Sequence, residues 1–246
     1  QRRLAPPGAT VQNVIQTNGT LLDEEWSSFL KEHDFLVGVS LDGPREIHDA
    51  YRTDRAGRGT FDAVLRGVQI LQRHGVALNI LTTVHAANGD RGLEVYRFLR
   101  DDVGATWMQF IPIVERGSGD SVTDRSVAPD QFGRFLCAVF DEWVRRDVGR
   151  IVVQEIEVPF AHASGQPPAL CVHAPTCGQN VALEHNGDLY SCDHFVDRDH
   201  LLGNIQETLL PELVGLERQV AFGQAKLTDL PSRCRNCDVG AICWGG

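Results

Sequence analysis

Six cysteines near the end of the chain are the residues whose type and spacing are best suited to chemistry. They form two sets, Cys171, Cys177 and Cys192 in the first and Cys234, Cys237 and Cys243 in the second. From Cys177 the first set has the pattern C-x9-G-x4-C, and the second set is C-x2-C-x5-C. Thiolates at such spacing bind soft metal centres, so the rest of the chain is expected to serve a metal centre.

Three kinds of thiolate site compete for these cysteines. Structural zinc usually takes two close pairs in one tetrahedral set, and here only C-x2-C supplies such a pair. Iron–sulfur clusters take four cysteines at more varied spacing, which suits the x5 intervals better. Disulfides are disfavoured, because no signal peptide opens the chain and a cytoplasmic, reducing setting is then the default. The spacing therefore favours an iron–sulfur centre and leaves zinc open.

Six ligands cannot complete two four-ligand sites, so further ligands are expected outside this chain. The sequence also lacks an initiator Met and stops at Gly246, inside the second motif. We therefore expect an excerpt of a longer protein.

Bulk composition narrows the class of protein. Of the 246 residues, 42% are hydrophobic and 23% are charged, as in soluble globular proteins. The formal net charge of −10 argues against a general nucleic-acid binder, which needs a basic surface. No apolar run approaches the roughly 18 residues of a membrane-spanning helix. We expect a cytoplasmic protein that binds neither nucleic acid nor membrane.

Strand and helix patterns alternate along residues 11–147. Near-continuous apolar strands of this kind predict a parallel sheet covered by helices, hence an α/β fold. Residues 41–59 are predicted as a polar loop, and residues 151–161 stay unassigned. Periodicity alone does not separate a doubly wound sheet from part of an α/β barrel. The predicted strands are 11–16, 35–40, 77–84 and 106–113, and the predicted helices are 23–33, 60–74, 90–100 and 129–147.

Polar residues follow the predicted strands, where the carboxyl ends of parallel strands form a ligand-binding rim. Arg52 offers a guanidinium that suits a ligand carboxylate. Each rim residue also has a plain structural explanation, as a turn, cap or exposed loop residue. His48 and His85 are interpreted as rim or surface histidines. The candidate rim residues are Thr17, Asn18, Ser40, Arg52 and Gln109.

Pro and Gly residues at 164–168 predict a boundary between a first domain, 1–163, and a cysteine-rich second domain, 164–246. The seventh cysteine, Cys137, lies in the predicted helix 129–147 and is expected to pack in the core.

In the second domain, Asn186-Gly187 predicts a β-hairpin with a two-residue loop. In that register Leu183 faces Tyr190 and Val181 faces Cys192, which brings Cys177 close to Cys192.

Three stretches together resemble the anaerobic sulfatase-maturating enzymes, which are radical S-adenosylmethionine (SAM) enzymes with a SPASM domain. The cysteine tail is similar to the SPASM pattern, and its first cysteine is similar to an additional one of the maturase subgroup. The resemblance covers nearly the whole chain from Val11 onward. The stretches are Gln16-Thr-Asn-Gly-Thr-Leu-Leu22, Val39-Ser-Leu-Asp-Gly-Pro44 with His48 and Arg52 behind it, and the tail, which includes Leu202-Gly-Asn-Ile205.

The resemblance implies the last four strands of a radical SAM (β/α)6 partial barrel, followed by a truncated SPASM domain with the β-hairpin. The family's C-x3-C-x2-C motif, which binds the SAM-cleaving cluster, is absent from this sequence. A further SPASM cysteine would be the residue after Gly246. We therefore expect this chain alone to be inactive.

The family's chemistry implies roles for single residues. In the family, a reduced [4Fe–4S] cluster cleaves SAM to a 5′-deoxyadenosyl radical, which takes a hydrogen atom from the Cβ of a Ser or Cys in a sulfatase. Loss of a proton and a second electron gives Cα-formylglycine, after hydrolysis if the target was Cys. The resemblance implies Asp193 as the base, since a carboxylate beside a thiolate cluster is expected to have a raised pKa. It implies the rim residues as SAM contacts and the six cysteines as ligands of two auxiliary [4Fe–4S] clusters.

The leading hypothesis is therefore oxidation of a Ser or Cys side chain to formylglycine, with a sulfatase polypeptide as substrate and flavodoxin or ferredoxin as electron donor. The first alternative is another radical SAM/SPASM enzyme, one that makes thioether or carbon–carbon crosslinks in a peptide. The additional Cys171 and the candidate base Asp193 favour the leading hypothesis. A third possibility is a zinc-binding interaction module on an α/β domain.

Overall fold

A computed structural model describes residues 8–119 and 121–245 of the chain. Residues 1–7 of the predicted first domain, Asp120, and Gly246 at the end of the predicted second domain lie outside this description. The chain divides between Ile156 and Glu157 into two compact units, here named the sheet unit and the cysteine unit. The predicted domain boundary between residues 163 and 164 stays a prediction.

The sheet unit is built on one parallel sheet of five strands, which pair in chain order. A sheet that keeps its strand order is typical of part of an α/β barrel, whereas a doubly wound sheet reverses at a switch point. The strands are β1 (Asn13–Thr17), β2 (Phe35–Ser40), β3 (Ala77–Val84), β4 (Trp107–Pro112) and β5 (Val152–Val153). Its helices are α1 (Glu24–Glu32), α2 (Arg45–Tyr51), α3 (Phe61–Arg73), α4 (Gly92–Arg97, extended by a π-helical turn, Phe98–Asp102) and α5 (Pro129–Arg146). A further helix, α6 (Gln154–Ala163), begins in this unit and continues into the cysteine unit.

The four predicted strands and four predicted helices are confirmed, with ends shifted by a few residues. The prediction of a loop over 41–59 is wrong, because α2 lies within it. This helix begins after Pro44 and buries Ile47 and His48, but it is only seven residues long. Two turns are too few for a helical period to stand out from the sequence.

The main hydrophobic core lies between the sheet and its helices. Successive side chains of a strand point to opposite faces, so alternate residues of β2, such as Val37 and Val39, enter this core and are fully buried. Val68 and Leu71 of α3 cover them from the helix side. The opposite face of the sheet is more open, and Trp107 of β4 is exposed on it.

Helix α3 approaches the turn after β1 so closely that position 67 has room only for glycine. A Cβ added to Gly67 would lie 2.6 Å from the backbone oxygen of Gly19 and 3.1 Å from Leu22 Cβ. The Gly19 oxygen belongs to the backbone and Leu22 is a core residue, so moving either atom would cost free energy. The Thr-Asn-Gly turn after β1 therefore packs directly against α3.

Replacing Gly67 by Ala in the full-length protein is expected to lower the free energy of unfolding by about 1–3 kcal/mol, the usual effect of overpacking. Gly133 of α5 is the matched control, because a Cβ there would meet nothing within 4 Å. Alanine at that helix position is expected to stabilise by up to about 1 kcal/mol. Urea unfolding of both variants measures the effects, and equal destabilisation by the two would contradict the packing argument.

The cysteine unit has a small antiparallel sheet of its own. Its strands β6 (Ala182–Leu183), β7 (Asp188–Tyr190) and β8 (Leu201–Asn204) pair in that order. Leu189, Leu202 and Leu213 form its buried core, with Val181 and Leu216 packed against them. Four helices follow, α7 (Leu210–Val214), α8 (Glu217–Thr228), α9 (Ser232–Arg235) and α10 (Gly240–Cys243).

The predicted hairpin forms, but its predicted register is wrong. Leu183 pairs with Leu189 rather than Tyr190, and Glu184 N–H donates to Asp188 O at 2.9 Å. The loop therefore holds three residues and ends at Gly187, whose φ of +92° suits glycine. Such a three-residue loop is the next commonest hairpin connection after the two-residue one.

Core packing of Cys137 is also a wrong prediction, because this cysteine is exposed. Phe135 and Val139 of the same helix are buried. At about 100° per residue, a position midway between them points to the opposite side of α5.

No helix within residues 8–119 and 121–245 is both long enough and apolar enough to cross a membrane.

Candidate functional site

Two predicted rim residues, Ser40 and Gln109, lie in one row across the same face of the sheet. Ser40 pairs with Leu81, and Leu81 pairs with Gln109. Because paired residues of parallel strands share a face and adjacent strands are about 4.8 Å apart, the two lie roughly 10 Å from each other. This face points away from the core, since Ser40 and Gln109 directly follow Val39 and Met108, whose side chains are fully buried in the core. The row can contact one small molecule bound along the sheet.

Arg52 is held by a buried carboxylate at the edge where the strands end, the carboxyl edge. Its Nε donates to Asp42 Oδ2 at 2.5 Å, and its Nη2 donates to Asp42 Oδ1 at 3.0 Å and Thr83 Oγ1 at 2.8 Å. Thr83 N–H also donates to Asp42 at 2.8 Å. The side chain of Asp42 is 3% exposed and that of Arg52 is 26% exposed. Within the described residues Nη1 makes no hydrogen bond, so it can bind an added carboxylate.

A neutral histidine supports this pair from behind. Asp42 N–H donates to His48 Nδ1 at 3.3 Å, and His48 Nε2 lies 3.1 Å from Thr60 Oγ1. The Thr60 hydroxyl in turn donates to Arg52 O at 2.9 Å. Only a neutral imidazole accepts at Nδ1, and burial lowers the pKa of His48 to about 4. At pH 7 the uncharged ring therefore links the backbones of Asp42 and Arg52.

His85, directly after β3, is buried as well, so the surface interpretation of His48 and His85 is wrong. Its ring meets Tyr51 edge-on, with centroids 4.5 Å apart. Burial lowers the pKa of His85, and neither ring nitrogen has a hydrogen-bond partner among the described residues. A polar residue near the end of a strand gives no sign of burial in the sequence. The burial of both rings therefore could not be predicted.

Thr17 and Asn18 are used within their own turn. Thr17 Oγ1 accepts from Gly19 N–H at 3.1 Å, and Asn18 Oδ1 accepts from the N–H and hydroxyl of Thr20 at 3.3 and 3.0 Å. These bonds match the plain structural explanation of a strand-to-helix turn. A role of either side chain toward SAM stays a prediction.

Glu155, two residues beyond β5, is a carboxyl group that sequence reasoning left unassigned. β5 pairs with β4 only as far as Met108 and Val153, and the N–H of Phe110 hydrogen-bonds the Glu155 carboxyl. Oε2 of Glu155 is buried without a hydrogen-bond partner in the described part of the chain. Burial raises the pKa of Glu155 to about 7, because a charged carboxylate is poorly solvated there.

This raised pKa predicts a loss of stability with rising pH. The folded state keeps the Glu155 proton above the usual pKa of 4.5, so stability falls from that pH to about 7 and then levels off. At 1.36 kcal/mol per pKa unit, unfolding at pH 8 is expected to cost up to about 3 kcal/mol less than at pH 5. Denaturant unfolding of the full-length protein at both pH values measures this.

Glu155→Gln, which stays neutral, is expected to remove that part of the pH dependence. Glu157→Gln on the same helix is the matched control and is expected to leave it in place. Parallel pH profiles for wild type and Glu155→Gln would contradict the prediction.

Two cysteines of the first set and one of the second are brought together by the fold. All seven cysteines lie in the described ranges, and none of them forms a disulfide. Cys171 begins a 3-10 turn, Cys171–His173, against which α10 with Cys243 packs. Cys192 follows β7 and interacts electrostatically with Cys171. The cysteine unit therefore gathers Cys171, Cys192 and Cys243 in one neighbourhood.

The second set lies on two short helices and the turn between them, with Cys234 in α9, Cys237 in the turn and Cys243 in α10. Cys237 N–H donates to Cys234 O at 3.3 Å, and Gly240 N–H donates to Cys237 O at 2.9 Å. Among the described residues, no three His, Cys, Asp or Glu side chains converge on a single metal-ion position. Each cysteine of a [4Fe–4S] cluster binds a different iron atom, so the ligands of such a cluster stand farther apart than those of one ion. The ligand roles of the six cysteines stay predictions.

Asp193 is exposed beside the first cysteine set. The Cys192 thiol donates to Asp193 Oδ1 at 3.3 Å. Burial and, less strongly, the Asp193 carboxylate raise the pKa of Cys192. An iron atom bound to Cys192 would replace the thiol proton and leave this carboxylate beside an anionic sulfur. The role of Asp193 as a base stays a prediction.

Family models match both units. Residues 5–99 match the radical SAM superfamily, a range that includes Ser40 and Arg52. Residues 171–238 match an iron–sulfur cluster-binding domain, SPASM, a range that holds every cysteine of the two sets except Cys243. These matches identify the radical SAM and SPASM iron–sulfur domains, and with them SAM and iron–sulfur clusters as the cofactors.

Known proteins match nearly all of the chain. It is 42% identical to the serine-type anaerobic sulfatase-maturating enzyme of Bacteroides thetaiotaomicron, over 97% of this chain and 61% of that protein. It is 30% identical to the cysteine-type enzyme of Clostridium perfringens, over 100% of this chain and 67% of that protein. The chain thus spans about three fifths of the length of its serine-type relatives, 61% and 60% for the first two.

A solved structure confirms the α/β fold with its radical SAM and SPASM parts. It is native anSMEcpe with bound AdoMet and Kp18Cys peptide, matched with a TM-score of 0.90 and 30% identity over 100% of this chain and 68% of that one. Sequence identity, coverage of two thirds of the clostridial enzyme and this structural match agree. The chain belongs to the family of anaerobic sulfatase-maturating enzymes.

Proposed function

We propose that the protein carrying this chain oxidises a Ser or Cys side chain of a sulfatase to Cα-formylglycine. The observation that carries the proposal is similarity along the whole chain to both serine-type and cysteine-type maturating enzymes. Identity is higher to the serine-type relatives, at 42% and 36%, than to the cysteine-type relatives, at 32% and 30%. This difference supports serine as the target.

The sheet unit is proposed to hold SAM along its carboxyl edge. Bound SAM and the cluster that cleaves it supply the radical that removes a hydrogen atom from the target Cβ. Ser40 and Gln109 offer a hydroxyl and an amide in one row, and Arg52 offers its Nη1 to the carboxylate of SAM. Asp42 fixes the direction of that guanidinium, so binding does not have to order it.

The cysteine unit is proposed to take the proton and the electron. Oxidation of an alcohol to an aldehyde removes two hydrogen atoms, and the radical step accounts for one of them. Asp193 accepts the hydroxyl or thiol proton. The two cysteine sets would hold auxiliary clusters, which would supply an acceptor for the remaining electron, and an external carrier such as flavodoxin or ferredoxin would exchange electrons with the protein. A cytoplasmic setting suits both the clusters and such carriers.

The proposal is tested with full-length protein that is purified without oxygen and reconstituted with iron and sulfide. It is incubated with SAM, reductant and three sulfatase peptides that differ only in carrying Ser, Cys or Ala at the target position. Aldehyde in the Ser or Cys peptide, none in the Ala peptide, and 5′-deoxyadenosine in step with product are the expected results. Mass spectrometry of the peptides measures all three.

Three outcomes would overturn the proposal. A crosslinked peptide in place of an aldehyde would support the peptide-crosslinking alternative. Zinc without iron or acid-labile sulfide in the anaerobic protein would support the interaction module. Steady cleavage of SAM with both the Ser and the Cys sulfatase peptide unmodified would contradict oxidation of a sulfatase side chain.

A further inference from the structure

One face of helix α8 is built against the backbone of the first cysteine set. Gln219, Gly223 and Lys226 follow each other at intervals of four and three residues, so they share one side of the helix. None of them carries a functional group that the proposed reaction uses. All three contact backbone atoms at or next to the predicted ligands Cys171, Cys177 and Cys192.

Gln219 ties two of these ligand segments together. It is 2% exposed, and its Nε2 donates to Gly178 O at 2.8 Å and to Ser191 O at 3.1 Å. Gly178 follows Cys177 and Ser191 precedes Cys192. A single buried amide therefore fixes the distance between Cys177 and Cys192. The hairpin register predicted from the sequence, which is wrong, had brought these two cysteines together through strand pairing instead.

Gly223 lets the helix touch Cys177 itself. Its carbonyl accepts from Cys177 N–H at 3.1 Å. A Cβ at this position would lie 2.4 Å from Cys177 O, so no larger residue fits without moving the ligand. The close approach explains a glycine in the interior of a helix, where it otherwise weakens the helix.

Lys226 binds the backbone of the third ligand segment, which begins at Cys171. Its Nζ donates to the carbonyls of Cys171, Val172 and Ala174 at 3.0, 2.5 and 2.8 Å. These bonds use all three N–H donors of the ammonium group, so the charge has a fixed position.

The positive charge of Lys226 lies among the thiols. Lys226 interacts electrostatically with Cys177, Cys171 and Cys243. These surroundings fit an iron–sulfur cluster, because thiolate ligands give the cluster a net negative charge and reduction adds one more electron. A fixed cation close to it favours the reduced form, since net charge and hydrogen bonding set cluster potentials.

We propose that the Gln219–Gly223–Lys226 face of α8 is the template that positions Cys171, Cys177 and Cys192, and that the Lys226 ammonium is the fixed cation that raises the potential of the cluster they hold. Lys226 is a positioning residue in this proposal, since it acts through the ligands. The inference rests on the proposed iron–sulfur function of the cysteine unit.

The test compares three lysine variants of the full-length, anaerobically reconstituted protein. Lys226→Met removes the charge and the donors, and Lys226→Arg keeps the charge. Lys31→Met is the control, because Lys31 is the only other lysine among the 23 basic residues and its Nζ donates to a single carbonyl, Gly75 O, at 2.7 Å. Iron and sulfide content and a redox titration followed by electron paramagnetic resonance are measured.

We expect Lys226→Met to shift the midpoint potential of one auxiliary cluster to a more negative value, or to lose that cluster alone. Lys226→Arg is expected to keep the cluster near its wild-type potential, and Lys31→Met to match wild type throughout. Full iron content with an unchanged potential in Lys226→Met would overturn the proposal. So would the same loss in the Met and Arg variants, since the charge would then be irrelevant.

A second variant tests the template without altering charge. Gly223→Ala is expected to lower the iron bound per protein, whereas Gly133→Ala is expected to have no effect on iron. Failure of the proposed function would already show in the wild type, as missing iron or missing aldehyde. Failure of this inference would leave the wild type active and appear only in the variants.

Discussion

Replacing Asp193 by Asn in the full-length protein is expected to abolish formylglycine formation while cleavage of SAM continues. Asparagine keeps the shape of the side chain but cannot take up the proton of the target hydroxyl or thiol. A positioned base contributes about 10²–10⁴-fold to a rate, so a loss of that size is expected. SAM cleavage is expected to persist, because its proposed contacts, Ser40, Arg52 and Gln109, all belong to the sheet unit.

Asp199→Asn is the matched control for this variant. Asp199 lies in the same segment, is exposed, and its side chain makes no hydrogen bond within the described residues. The change removes the same charge, and a wild-type rate is expected. Aldehyde in the peptide and 5′-deoxyadenosine are quantified in parallel for the two variants. A full yield of aldehyde from Asp193→Asn would rule out Asp193 as the base.

The parallel sheet could be predicted from the sequence because its signals are local. Each long strand is a nearly continuous apolar run, and the residue type changes to polar where the strand ends. The rim position of Ser40 follows from this pattern alone. Its alignment with Gln109 does not, because that row depends on the register of three strands, and register is a long-range property.

The cysteine unit shows where such reasoning fails. The Asn186-Gly187 signal locates a turn without fixing its length, and one extra loop residue changes which side chains face each other. The positions of Gln219 and Lys226 could not be predicted either. Their partners are backbone carbonyls far away in the sequence, and a bond to a backbone oxygen leaves no pattern of residue types.

The ion pair in which Asp42 holds Arg52, here called the clamp, could not be predicted from the sequence either. Breaking it is expected to have a large effect on stability. The sequence offers Asp42 as one residue of a Ser-x-Asp-Gly turn and Arg52 as an exposed loop residue. In the structure the Asp42 side chain is 3% exposed, and its carboxylate accepts from both the guanidinium and Thr83 N–H. Removing one partner of such a pair leaves the other charge without compensation, which is far costlier than losing an exposed pair.

Asp42→Ala is therefore expected to lower the free energy of unfolding of the full-length protein by about 3 kcal/mol, as for other broken buried pairs. Asp62→Ala is the matched control, because Asp62 pairs with Arg45 at the surface, where the two side chains are 76% and 55% exposed. A much smaller loss of stability is expected there, because solvent screens an exposed pair. Urea unfolding of the two variants gives both numbers, and equal losses would show that burial of the clamp contributes nothing.

The Asp42→Ala variant also tests whether the orientation of the Arg52 guanidinium, and not only its charge, matters at the proposed SAM site. Asp42→Ala leaves Arg52 in place but lets its guanidinium turn, so weaker SAM binding is expected under conditions in which the protein stays folded. Arg52→Lys keeps the charge and loses the fork that Asp42 holds, and it is expected to weaken SAM binding as well. Equilibrium binding of SAM to the folded variants tests this. Wild-type affinity in both would remove Arg52 from the site, because neither its direction nor its geometry would then matter to the ligand.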